Sequence, residues 1–242
     1  MRPAVGIIPV RYSAQRFPGK PLAPILGKPL VQWVYESARR ARRLENLVVA
    51  TDDERIREAA QSFGAQVCMT SPHHASGTER VMEAAAVHDQ PIVINIQGDE
   101  PLIRGDMIDA LVDALQEKSV PMATLARANP DLPRAEDPNI VKIVIDAQGY
   151  ALYFSRSPLP HGAADYFWEH IGIYGYQKDF LIQFCRLPDS RLEKTERLEQ
   201  LRALEHGFRL KVLPTTYPTL SVDTPEDIIR VERYLKEGHH GG

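Results

Sequence analysis

The chain has 242 residues, of which 43% are hydrophobic and 25% charged, and a formal net charge of −3. This is the balance of an ordinary globular protein with no global field favouring nucleic acid or an anionic membrane, so any polyanion site must be local. No apolar run approaches the roughly 20 residues of a membrane span, and the first strand begins too early to leave room for a secretory leader; a cytoplasmic protein is expected.

The opening stretch, Val5-Gly6-Ile7-Ile8-Pro9-Val10-Arg11, is an apolar run broken at Pro9. A loop follows that carries Arg11, Arg16 and Lys20 around Gly19 and Pro21, with no acid among them. Such a loop beyond a buried strand is either a plain solvated connection or a seat for a triphosphate, and these residues alone do not choose. Leu30, Val34, Ala38 and Ala41 then recur at helical spacing. Asn46–Thr51 reads as a buried strand, with Asp52 as cap of a helix whose inner face is Ile56, Ala59, Ala60 and Phe63. A strand at Ala65–Met69, a polar loop ending in Ser76-Gly77 and a helix over Thr78–His88 come next. Pro91–Ile96 is almost continuously apolar, as a strand buried on both faces is. It ends in Gln97-Gly98-Asp99-Glu100-Pro101, before a helix carrying Met107, Ile108, Leu111, Val112 and Leu115.

Beyond about residue 120 the pattern changes to Met122–Ala126, Ile140–Asp146 and Tyr150–Ser155 as strands, the last two joined by a hairpin at Ala147-Gln148-Gly149. His170–Tyr176 alternates as a strand; helices are predicted at about Lys178–Arg186 and Thr195–His206, then a strand at Arg209–Leu213. In the last helix Thr224 is the cap, Pro225 the first residue, and acids fill the first turn. Cys68 and Cys185 show no metal or redox spacing and read as reduced, buried residues. The predicted fold is α/β, a mostly parallel central sheet flanked by helices, with a smaller mixed-sheet lobe. One domain is expected over 1–242: a nucleotide-style α/β half to 120, a mixed-sheet part over about 121–215, and a returning turn and helix over 216–238.

The motifs that are missing narrow the chemistry. There is no G-x-G-x-x-G, no Walker P-loop, no G-x-S-x-G and no H-E-x-x-H. Asp99 and Asp223 each follow a strand run at a turn, where two carboxylates can meet on one magnesium ion. Each is also readable as an ordinary turn or helix-flanking residue. Together with three loop cations they favour a metal-nucleotide site.

The blocks Ile8-Pro9-x-Arg11…Arg16-x-Pro18-Gly19-Lys20-Pro21-Leu22, Ala75-Ser76-Gly77-Thr78-Glu79-Arg80, Gln97-Gly98-Asp99-Glu100-Pro101, His170-Ile171-Gly172-Ile173-Tyr174, Leu198-Glu199-Gln200-Leu201-Arg202 and Val222-Asp223-Thr224-Pro225-Glu226-Asp227 occur in one order. Set out so, the chain closely resembles the 3-deoxy-manno-octulosonate cytidylyltransferase family from Ala4 to Leu235. The resemblance implies a GT-A-like nucleotidyltransferase, usually dimeric and magnesium-dependent. It would move CMP from CTP to an acidic 2-keto sugar, release diphosphate, and serve lipopolysaccharide synthesis without a nucleic-acid or membrane partner. It further implies Pro9, Arg11, Arg16 and Lys20 around the triphosphate, and Ser76 and Arg80 on the cytosine side. Asp99 and Asp223 would hold magnesium, with Arg11 and Lys20 sharing catalysis. Gln97, His170, Tyr174, Glu199 and Gln200 would line the sugar pocket. Ser76 is equally readable as a helix cap, and Tyr174 as a core aromatic. Glu196, Glu199 and Gln200 are expected on one helical face.

Two positions depart from the family pattern. Basic residues commonly flank the His-x-Gly-Ile-Tyr strand, where this chain has Glu169 and Gln177, and the stretch between Arg156 and Glu169 is short. Glu169 motivates an alternative in which the sugar carries an 8-amino group; a sialic acid is a further alternative. From another class, a non-catalytic nucleotide-binding regulator is disfavoured by the retention of Asp99, Asp223 and the loop cations.

Overall fold

Strand β1 (Ala4–Pro9) is apolar on both faces because it is central: Ala4, Val5, Ile7 and Ile8 are fully buried. The computed structural model describes residues 1–13 and 17–237, so Arg16 and the terminal His239 and His240 lie outside the described residues. The chain forms two compact units, Met1–Asp109 with Pro218–Gly242, and Ala110–Tyr217. After β1 comes a small antiparallel ladder that the sequence reading missed, β2 (Pro24–Ile25) with β3 (Lys28–Pro29). Its two-residue turn puts Leu26 and Gly27 at φ 48 and 82, as a turn of mirror-image type requires. Helix α1 (Leu30–Ala38) leads to β4 (Leu44–Thr51), α2 (Glu54–Ser62), β5 (Gln66–Met69), α3 (Gly77–Ala85), β6 (Ile92–Asn95) and α4 (Gly105–Ala114). In the first unit β1 pairs in parallel with β4 and β6, and β4 with β5, giving the order β6-β1-β4-β5.

The second unit contains β7 (Met122–Asn129), β8 (Lys142–Ile145), β9 (Ala151–Ser155), β10 (Phe167–Gln177), α5 (Lys178–Arg186), α6 (Arg191–Glu196), α7 (Leu201–Glu205) and β11 (Leu210–Thr215). Here β7 lies between a parallel β11 and an antiparallel β10, and β10 continues through β8 to β9, all antiparallel. This is the predicted mixed sheet. The chain then returns to the first unit in α8 (Pro225–Lys236), where Glu232 accepts the Leu26 N–H of the small ladder at 2.9 Å. No helix among the described residues is long and apolar enough to cross a membrane.

Three expectations are corrected. The helix over Thr195–His206 is two short helices, broken where Arg197 takes the left-handed conformation (φ 55, ψ 47). A capping box of Ser190 with Glu193 starts the first helix early, and Arg202 folds back onto Glu193 at 2.7 Å. Glu196 therefore ends α6 while Glu199 and Gln200 sit in the connecting turn, not on a common helical face. The cap of α2 is Asp53, whose carboxylate accepts the Arg55 N–H at 3.0 Å, and not Asp52. The two cysteines are free as expected, but each is half-buried.

Candidate active site

Past β1 the loop closes when the Gly19 N–H bonds to the Tyr12 carbonyl at 2.9 Å. Gly19 has φ 75, which its lack of a β-carbon permits, and a single 3-10 turn over Lys20–Leu22 follows with Pro21 buried. That turn delivers the Lys20 ammonium to two carboxylates: Nζ stands 2.7 Å from Asp99 Oδ2 and 3.4 Å from Asp223 Oδ1. Arg11, just beyond the strand, is exposed.

Local packing explains the meeting. A β-carbon on Gly98 would come 2.2 Å from Val10 Cγ1 and 3.1 Å from the Pro9 carbonyl oxygen, so only glycine lets the Asp99 turn lie against the end of β1. Pro9 is thus packed directly against the Gly98 turn. The Asp99 carbonyl in turn accepts the Val222 N–H at 2.9 Å, which brings Asp223 alongside from the far end of the chain. Two carboxylates brought to one ammonium repel each other, and the shared positive charge compensates both.

Also in the first unit, Ser76 caps α3, its hydroxyl accepting the Glu79 N–H at 3.2 Å. Arg80, 3% exposed, is held by Thr70 Oγ1 at one terminal nitrogen and by Asp52 Oδ2, at 3.2 Å, at the other. Sequence reasoning gave Asp52 the cap; the pair of acids after β4 in fact divides its work, one for the helix and one for Arg80. Gln97 Nε2 donates to Asn95 Oδ1 at 3.0 Å, in the first unit.

The remaining candidates belong to the second unit. Along β10 burial alternates, with Glu169, Ile171 and Ile173 buried and His170, Gly172 and Tyr174 half-buried. The His170 and Tyr174 rings lie 5.5 Å apart on the less buried side. Thr124 has one hydroxyl proton, and its 2.7 Å contact with the Ile173 carbonyl uses it. His170 Nε2, 3.0 Å from the same oxygen, must then carry the imidazole hydrogen, which leaves Nδ1 as an acceptor. Burial pushes His170 down to about 3, so the ring is neutral near pH 7. Burial, reinforced by Glu199, raises Tyr174 and keeps it a phenol. Gln200 is 4% exposed, and its amide nitrogen is buried without a hydrogen-bond acceptor.

A family model described as cytidylyltransferase matches residues 5–212. The 3-deoxy-manno-octulosonate cytidylyltransferase of Syntrophobacter fumaroxidans is 52% identical over 242 residues, covering 96% of this chain and 97% of that protein. That of Syntrophotalea carbinolica is 48% identical over 243 residues, covering 95% and 97%. The chain belongs to the 3-deoxy-manno-octulosonate cytidylyltransferase family. A solved structure of CMP:2-keto-3-deoxy-manno-octonic acid synthetase complexed with CTP superposes with a TM-score of 0.93 at 38% identity, covering 98% of this chain and 99% of that one.

The expected α/β nucleotidyltransferase architecture is therefore present, and within this cytidylyltransferase the two departures acquire structural explanations. Glu169 accepts from Arg127 Nη2 at 2.6 Å and from Asn129 Nδ2 at 2.7 Å, on the face of β10 opposite His170. Its charge is already matched, which removes the motive for an amino sugar. The Gln177 amide donates to the Leu115 and Val120 carbonyls at 2.8 and 3.1 Å and ties down the end of α4. The donor set also fits the implied metal. Two carboxylates converging on one cation suit magnesium, which keeps several waters and takes substrate phosphate oxygens where a full protein cage is lacking. Among the described residues no group of three or more His, Cys, Asp or Glu could hold a metal.

Proposed function

We propose that this protein transfers CMP from CTP to the anomeric hydroxyl of 3-deoxy-D-manno-octulosonate and releases diphosphate, for lipopolysaccharide synthesis. The observation that carries the reading is the meeting of Lys20, Asp99 and Asp223, drawn from three distant parts of the chain onto one point. In the reaction the hydroxyl oxygen bonds to the α-phosphorus, the bond from that phosphorus to the bridging oxygen breaks, and the hydroxyl proton passes to water. Both reactants are anions, so alignment and positive charge dominate the requirement.

Lys20, Arg11 and Arg16 bind the triphosphate, Lys20 from its place between the two carboxylates. Ser76 and Arg80 orient the cytosine, Arg80 held rigid by Asp52 and Thr70. Asp99 and Asp223 hold magnesium, whose chemistry when bound is to offset charge on phosphate oxygens and to acidify a coordinated hydroxyl. The sugar is bound by Gln97, His170, Tyr174, Glu199 and Gln200. The buried Gln200 amide nitrogen supplies a donor for a sugar oxygen. The neutral His170 accepts a hydrogen bond from a sugar hydroxyl at Nδ1 and does not pair with the sugar carboxylate as a cation. A cytoplasmic homodimer completes the reading, as the family resemblance implies; sedimentation as a single chain would overturn that part.

Diphosphate release decides the function. CTP and magnesium with octulosonate should yield diphosphate, the 8-amino sugar and a sialic acid little, and EDTA should abolish the signal. CTP binding without diphosphate from any acidic sugar would overturn the proposal in favour of a regulator.

A further inference from the structure

The turn that carries Asp223 is held by three consecutive backbone N–H groups. Val222 N donates to the Asp99 carbonyl at 2.9 Å, and Asp223 N and Thr224 N donate to a single oxygen, Asp227 Oδ2, at 2.8 and 2.9 Å. Asp227 is 7% exposed, and its other oxygen is occupied by Arg230. A helix cap explains part of this. In a capping box the acid at the third helical position accepts the N–H of the cap residue, here Thr224. It has no need of the N–H before the cap, which is that of Asp223 itself. The second bond locks the backbone from which the Asp223 carboxylate extends, while the Val222 bond references the same turn to Asp99. Asp223 is therefore set relative to Asp99 by one short, doubly anchored segment, and both carboxylates meet Lys20.

We propose that Asp227 is a positioning residue for the reaction: its buried carboxylate fixes Asp223 for cation binding, beyond its service to α8. This inference rests on the reading of Asp223 as a metal ligand. Side chains that orient ligands in this way are worth about tenfold or more in metal affinity or activity.

The deciding variant is Asp227→Glu, because glutamate is itself a preferred capping-box residue and keeps the charge facing Arg230. It serves the helix but carries its carboxylate one methylene too far to hold the Asp223 N–H. Binding of Mn²⁺ in the presence of CTP, followed by the loss of free-ion paramagnetic resonance signal, should weaken about tenfold. The melting temperature should stay near wild type, and kcat should fall with KM for CTP unchanged. Asp227→Ala should weaken Mn²⁺ at least as much, with an added loss of thermal stability. Wild-type Mn²⁺ binding in Asp227→Glu would overturn the proposal and leave Asp227 a cap alone. Asp223→Ala serves as reference. If it too binds Mn²⁺ like wild type, the metal reading of Asp223 fails, a result distinct from failure of the Asp227 role.

Discussion

Lys20 stands within ion-pair distance of two carboxylates at once, so any divalent cation seeking Asp99 and Asp223 competes with an ammonium already there. In Lys20→Met that competitor is gone. Mn²⁺ binding without nucleotide should strengthen, while KM for CTP rises about tenfold or more through loss of a charge-assisted hydrogen bond; calorimetry and steady-state kinetics measure the two. His170 gives a prediction in pH. Its folded value of about 3 lies below the ordinary 6.5, so between those values the unfolded chain binds a proton that the folded chain refuses. Stability from this group is intact above about pH 6.5 and is lost as pH falls toward 3. Urea midpoints measured at about pH 7 and pH 4.5 should differ less in His170→Gln than in wild type.

Among the elements, β10 shows how far the sequence could be read. Alternation along HIGIYGY placed His170 and Tyr174 together, and the ring contact agrees. What adjacency could not supply was the partner of Glu169, since Arg127 and Asn129 lie on β7 and meet it only through antiparallel pairing. The same limit applies to Arg80 and Asp52, which are brought together by tertiary packing. The helix break at Arg197 was hidden for a different reason. Leu198, Leu201 and Leu204 all lie beyond Arg197, so their helical spacing could not reveal it, and a non-glycine residue at φ 55 carries no sequence mark. Caps, by contrast, were legible where one residue competed for the position, as at Thr224, and misassigned where two acids stood together at Asp52-Asp53. At this scale Glu169→Ala should cost about 3 kcal/mol, because Arg127 is left as an uncompensated, mostly buried cation. Chemical denaturation of the single variant, and its relief in Glu169→Ala with Arg127→Ala, would check it; an additive double variant would refute the pairing energy.

On the scale of the whole molecule, the first unit is assembled from both ends of the chain. Asp99 was legible at the turn after β6 and Asp223 beside the cap of α8, although the strand expected just before Asp223 is absent, since β11 ends at Thr215. Their convergence on one cation was readable too; what the sequence could not supply is the means, the Val222 bond to the Asp99 carbonyl and the Lys20 ammonium between the acids. A chain ending at Tyr217 lacks Asp223, α8 and the Glu232 contact to the small ladder. CTP with magnesium should raise the melting temperature of the full chain by ligand linkage and leave that of the shortened chain unmoved, as scanning fluorimetry would show.

The order of synthesis gives this return segment another meaning. Domains tend to fold as they emerge from the ribosome, N-terminal parts first. Here the strands of the first unit appear early, all of the second unit follows, and only then does Val222 arrive to bond with Asp99. An unfinished chain can therefore contain the strands of both units yet lack one of the paired carboxylates. Prematurely terminated products lack Asp223, and completion of the polypeptide is the event that sets it beside Asp99 and Lys20.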